Sequence, residues 1–299
     1  MMRVLFELNA APGLADALCV RLGCEPGKLE RRRFPDGESY LRYVTPVAGR
    51  EVVLVCALAQ PDDKITSLLF AAAAARAQGA ASVGLVAPYL PYMRQDKAFL
   101  PGEAVTSVTF AKLLSEHFDW LVTIDPHLHR YRELGEIYSI PAAAASATEV
   151  IADWIAANIE QPCVIIGPDE ESRQWVDRIG RGVRATTTVL RKQRSGDFAV
   201  AIDGQALGGL GPGNVVLVDD IASSARTMIE AVKLVHAAVA LAPVCVVVHP
   251  IFAGDAYERL LAAGAARVVS TNTIEHASNA IDLADTLARA VSSLGVEAP

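Results

Sequence analysis

Cysteine is scarce and poorly placed for cross-linking. The 299 residues hold five, Cys19, Cys24, Cys56, Cys163 and Cys245, odd in number, scattered and without a C-x-x-C pair. This excludes a disulfide framework and a structural zinc site, and it fits a reducing cytoplasm. Long apolar runs are also lacking. The longest, around residues 68–75 and 237–248, fall short of a membrane span, and Pro243 breaks the second. The opening MMRVLFELNAAPGL has too short an apolar core for a secretory signal and suits a first strand. Neither export nor a membrane anchor is expected. Nor is there a basic excess: 27 Lys and Arg against 34 Asp and Glu leave a net charge of −7. That argues against a broad electropositive face for nucleic acid or anionic lipid, and leaves room for a local basic pocket and small anionic ligands.

What the chain does have is apolar material. A hydrophobic share of 52% against 20% charged is enough to offset the entropy of ordering, so a soluble globular chain is expected. The length suits two domains. Short β-branched runs, VVLV at 52–55, VGLVAP at 83–88, WLVTID at 120–125 and CVIIG at 163–167, alternate with alanine-rich helical stretches such as 65–78. Continuous apolar strands bounded by helices predict an α/β fold with parallel sheets buried on both faces. The pattern also echoes itself. VVLV at 52–55 and VGLVAP at 83–88 recur as VVLV at 215–218 and VCVVVHP at 244–250, and WLVTID at 120–125 as RVVSTN at 267–272. Two related domains follow, 1–143 and 144–299, with a boundary near Pro141 to Thr148. From Ser278, SNAIDLADTLARAV places Ile281, Ala284, Ala288 and Val291 on one helical stripe, with Ser278 or Asn279 available as cap. This last helix is expected to pack, with the N-terminal domain as a candidate surface.

The strongest chemical signal is VVLVDDIASSARTM at 215–228. An apolar strand delivers Asp219 and Asp220 at its C-terminal end, and Ser223, Ser224 and Thr227 open a helix. Two carboxylates suit ribose hydroxyls or an aquo-magnesium ion, and hydroxyls with free N–H groups at a helix start suit a phosphate. FPDGE sets Asp36 and Glu38 on either side of a glycine turn, as acceptors for an adenine amino group or as an ordinary hairpin. Arg94, Gln95 and Asp96 follow a proline-rich strand end, where they suit a nucleotide or an exposed ion pair. His127 and Asp169 each lie just past a strand, where imidazole and carboxylate suit one magnesium ion, although a structural histidine is the commoner use. Lys192 and Arg194, two apart in VLRKQR, face one way if extended. Solvated charge is one use for them, and stabilising charge on a transferring phosphoryl group is the other.

The strand-D-D-x-x-(S/T/D)-x-x-T loop resembles the ribose 5-phosphate loop of the ribose-phosphate pyrophosphokinases. Phosphoribosyltransferases share such a loop. The other stretches, RRFPDGESYLR at 32–42, APYLPYMRQDK at 87–97, TIDPHLHR at 123–130, GPDEES at 167–172 and VLRKQR at 189–194, are each similar to a pyrophosphokinase motif and stand in the family's order. The resemblance implies two phosphoribosyltransferase-like domains, each with a mainly parallel sheet flanked by helices. It implies transfer of diphosphate from ATP to ribose 5-phosphate with Mg2+, in a cytoplasmic homo-oligomer of dimer size or larger. Phe34, Asp36 and Glu38, lent by a neighbouring subunit, and Arg94, Gln95 and Asp96 would bind ATP. His127 and Asp169, with His129 a weaker candidate, would hold the metal, and Lys192 and Arg194 would be catalytic. Asp219, Asp220, Ser223, Ser224, Ala225, Arg226 and Thr227 would hold ribose 5-phosphate, and Gln193 to Phe198 would form a mobile loop. Two departures stand out. Glu171 and Ser172 replace the family's usual glycine pair, and Arg226 replaces a glycine. A non-catalytic regulatory subunit and a related phosphoribosyl-handling transferase are the alternatives.

Overall fold

The computed structural model describes residues 2–192, 200–201, 214–239 and 242–295. It divides into two compact units, Met1–Ser146 with Thr273–Glu275 and Leu283–Pro299, and Ala147–Asn272 with His276–Asp282.

The first unit runs β1 (Arg3–Asn9), α1 (Leu14–Leu22), β2 (Glu25–Pro26), an antiparallel hairpin of β3 (Leu29–Arg33) and β4 (Ser39–Tyr43), and β5 (Glu51–Cys56). It continues through α2 (Ile65–Ala77), β6 (Ser82–Ala87), α3 (Thr106–His117), β7 (Trp120–Ile124) and β8 (Ala142–Ala145). Its sheet order is β2-β1-β5-β6-β7-β8, parallel throughout. Every residue of β5, β6 and β7 is buried. Helices cover both faces, so these strands are apolar runs rather than alternating ones. In α2 the small side chains of Ala71, Ala72 and Ala75 are fully buried.

The second unit runs α4 (Thr148–Asn158), β9 (Cys163–Gly167), α5 (Arg173–Val183), β10 (Thr186–Val189), a short antiparallel pair β11 (Arg191–Lys192) and β12 (Val200–Ala201), and β13 (Asn214–Ala222). It continues through α6 (Arg226–Val239), β14 (Val244–Pro250), α7 (Ala256–Ala262), β15 (Arg267–Thr271) and β16 (Asn279–Ile281). Its sheet order is β10-β9-β13-β14-β15-β16, again parallel throughout. The two orders match place for place. The echoed segments occupy the third, fourth and fifth strands of each sheet: β5 and β13, β6 and β14, β7 and β15.

Two local differences from the sequence reading have clear causes. Asn279–Ile281 is edge strand β16 rather than helix, because β15 needs a backbone partner there. Asn279 Nδ2 donates to Ser270 Oγ at 3.0 Å and to the Thr271 carbonyl at 2.6 Å, so it does not cap a helix. Helix α8 (Ala284–Ser293) starts later, with Ala284, Leu287, Ala288 and Val291 buried, and belongs to the first unit, where it packs on α1 and β8. Strand β13 outlasts VVLV by four residues, because Ile221 and Ala222 still pair with His249 and Pro250 on β14.

Candidate functional site

In the second sheet the strand order reverses between β9 and β13: β10 lies outside β9, while β14 to β16 continue beyond β13. Open α/β sheets bind ligands at the carboxyl ends of their strands at such a reversal. Asp169, two residues past β9, and Asp219 and Asp220, in the last part of β13, stand on either side of it. Asp220 is buried and Asp219 half-buried. The Asp219 carboxyl is held well above the ordinary carboxylate range, first by loss of water around it, then by the charges of Asp220 and of Asp169. The Asp220 N–H, donated to Asp219 Oδ1 at 3.1 Å, offsets part of this. Asp219 thus faces two like charges at the sheet reversal.

Beyond β13 the chain turns through Ser223, Ser224 and Ala225 into α6. Ala225 takes the left-handed backbone region at φ 53°, and its carbonyl accepts the Ile229 N–H at 2.8 Å. The Ser223 carbonyl is held by the Ala253 N–H at 3.0 Å. Ser224 is exposed, Ser223 and Thr227 are half-buried, and the first-turn N–H groups of α6 open on this end. Arg226 is exposed and lines a groove of about 660 Å³ with Thr227, Pro168, Lys233 and Arg259.

The loop after β9 accounts for one departure. Ser172 is buried, and its hydroxyl donates to the Asp169 carbonyl at 2.6 Å. A Cβ on Gly167 would come within 2.1 Å of Ser172 Oγ, so Ser172 fills the space that Gly167 leaves open. The Glu171 N–H is already used by Asp169 Oδ1 at 3.0 Å, and Glu170 pairs with Arg173. Lys192 pairs through its backbone with Val200 in β11 and β12. Arg194 and the segment Gln193 to Phe198 lie outside the described residues.

In the first unit Phe34, Asp36 and Glu38 sit at the exposed tip of the β3–β4 hairpin. Gly37 takes φ +92°, a conformation that L side chains rarely adopt, and its N–H closes the turn on the Phe34 carbonyl at 2.9 Å. Asp36 Oδ1 accepts the Glu38 N–H at 3.2 Å. Past β6, Arg94 is exposed, and Gln95 Oε1 accepts the Thr106 hydroxyl at 2.6 Å. Asp96 pairs with Arg130 at 3.3 Å. Past β7, His127 and His129 stack edge to face, with Nδ1 of His127 3.2 Å from Nε2 of His129. The sequence reading overlooked Arg130 and Thr106. Arg130 closes the quoted TIDPHLHR stretch, and a cation ending a run of candidate ligands was the signal available.

A family model described as the N-terminal domain of ribose phosphate pyrophosphokinase matches residues 3–117, and one described as a phosphoribosyl transferase domain matches residues 133–285. Curated relatives named ribose-phosphate pyrophosphokinase include one from Methanosarcina acetivorans, 31% identical over 94% of this chain and 96% of its own length. Another, from Methanopyrus kandleri, is 32% identical over the same shares. Among solved structures, phosphoribosylpyrophosphate synthetase from Mycobacterium smegmatis superposes with a TM-score of 0.82 at 22% identity, covering 99% of both chains, a likeness of fold.

Proposed function

The chain belongs to the ribose-phosphate pyrophosphokinase family, and from that premise we propose that it transfers diphosphate from ATP to the anomeric hydroxyl of ribose 5-phosphate. The anomeric oxygen forms a bond to the β-phosphorus of ATP, the bond from that phosphorus to the α,β-bridging oxygen breaks, and AMP leaves with the electron pair. Phosphoribosyl diphosphate is the other product.

One observation carries this reading: Asp169, Asp219 and Asp220 gather at the sheet reversal beside the start of α6. Asp219 and Asp220 would hold the ribose hydroxyls, and Ser223, Ser224, Ala225, Arg226 and Thr227 the 5-phosphate. The repulsion of Asp219 by Asp220 and Asp169 fits a magnesium ion nearby, for which Asp169 and His127 are the proposed ligands. When bound, the metal would neutralise charge on the ATP phosphates. Lys192 and Arg194 are proposed to meet the charge that develops around the β-phosphorus, favouring the transition state over bound substrate. Arg94, Gln95 and Asp96 are proposed to face the nucleotide. The exposed hairpin with Phe34, Asp36 and Glu38 would complete the nucleotide pocket of a second copy, so the active form would be a dimer or larger.

The test is direct. Purified protein is incubated with ATP, ribose 5-phosphate and magnesium, and phosphorus NMR follows the products. AMP with phosphoribosyl diphosphate is expected. ADP or free phosphate would point to a different transfer, and no turnover to a regulatory subunit. Light scattering on active protein is expected to give at least a dimer.

A further inference from the structure

The first sheet reverses at the same place as the second: β2 lies outside β1, while β6 to β8 continue beyond β5. At the carboxyl ends of β1 and β5 lies a cavity of about 260 Å³ whose lining includes Asn9 and Cys56. Its walls are cationic. Arg31, Arg32 and Arg33 come from β3 and Lys64 from the start of α2, and Asp63 is the one carboxylate in the lining. On a chain of net charge −7 this is a local concentration of the opposite sign.

The hairpin register sets where Arg31 and Arg33 stand. Leu29, Arg31 and Arg33 alternate along β3 and pair opposite Tyr43, Leu41 and Ser39. That face looks onto α2: the Tyr43 hydroxyl donates to the Ala71 carbonyl at 2.9 Å, and Ser39 Oγ lies 3.0 Å from Ser67 Oγ. Arg31 and Arg33 are themselves exposed, so their charged ends keep contact with water. Arg32, which alternates with them along β3, also lines the cavity and stacks on Phe34 and Tyr40 at 4.4 and 4.3 Å. Lys64 Nζ donates one hydrogen bond to the Ala57 carbonyl at 3.0 Å, and an ammonium carries three N–H donors. Burial holds Lys64 below its ordinary range and pushes the Cys56 thiol up to about 12.

The second unit gives the comparison. With VVLV of β5 matched to VVLV of β13, Cys56 and Ala57 stand where Asp219 and Asp220 stand. The carboxylates are gone from the crevice floor. After β2 the chain reads Leu29-Glu30-Arg31-Arg32-Arg33, and after β10 it reads Leu190-Arg191-Lys192-Gln193-Arg194, so the spacing of two cations one residue apart is kept. The first crevice has lost what would hold a diol and kept what would hold phosphoryl oxygens.

We propose that the crevice beyond β1 and β5 is an anion site that takes free phosphate or diphosphate through Arg31, Arg33 and Lys64, in addition to the loop at Asp219. Isothermal titration of the full-length protein with inorganic phosphate in one arm and inorganic diphosphate in the other, at fixed ionic strength and without magnesium, tests it. In at least one arm a binding event should weaken tenfold or more in both Arg31→Gln and Lys64→Gln, and the responsive arm identifies the ligand. Anions bound elsewhere do not touch these side chains. Arg31 is exposed on the hairpin, so its variant reports independently if Lys64→Gln disturbs the start of α2. Absence of binding by either anion to the wild type, or affinities within twofold in both variants, would overturn the proposal.

Discussion

The Asp96 carboxylate, almost withdrawn from solvent, lies 3.3 Å from Nε of Arg130, whose side chain is 47% exposed. Asp96 is thus held by the TIDPHLHR stretch and not by its neighbour Arg94. One end of the proposed nucleotide motif is fixed by a cation 34 residues further along the chain.

Removing that cation leaves a buried carboxylate without its partner. Arg130→Ala is expected to cost about 1–3 kcal/mol of stability and to raise the Michaelis constant for ATP several-fold. Arg130→Lys should recover part of both. Urea unfolding and steady-state kinetics on the two variants check this, and an unchanged constant in Arg130→Ala would remove Asp96 from the nucleotide site.

Asp219 makes metal-free stability depend on pH. Folding raises its pKa, so between the ordinary carboxylate value and the folded value the native state holds a proton that the unfolded chain has released. Stability contributed by this group therefore falls as pH rises through that window. Asp219→Asn should flatten the slope and melt a few degrees higher at neutral pH without magnesium, about 1 kcal/mol corresponding to roughly 2–4 °C. Its kcat/KM for ribose 5-phosphate should drop roughly tenfold to a hundredfold, the worth of a charged hydrogen bond. Melting curves across pH decide the first point, and a steeper slope in the variant would contradict it.

Lys192→Ala is expected to abolish turnover while leaving ATP affinity within a few-fold, because the ammonium is proposed to act mainly on charge formed in the transition state. Equilibrium binding beside single-turnover rates separates the two effects. A near-normal turnover number would end that role for Lys192.

Ser172→Gly would restore a glycine at this position at the expense of the bond to the Asp169 carbonyl and the filling over Gly167. The loss should be about 1–2 kcal/mol. The midpoint of denaturant unfolding measures it, and a variant as stable as the wild type would show that Ser172 is not holding the loop.

Much of this protein could be read along the chain. Apolar runs such as VVLV mark buried parallel strands because helices cover both sheet faces, and their recurrence marks the duplicated architecture. The acids at 219 and 220 announced a site because a buried strand rarely ends in two like charges without a ligand to hold. Other features required the folded chain. Asn279 looked like a helix cap, but the edge of β15 took it into a strand. Ser172 looked like a missing glycine, and only its position over Gly167 shows what it fills. Asp96 pairs with Arg130, 34 positions on, and Arg31 lines one cavity with Lys64, 33 positions on, because the strands and the hairpin bring distant segments together. Residue type and periodicity are local properties carried by neighbours in sequence. Which charges share a crevice depends on where the strand order reverses, and that is settled only when the strands pair.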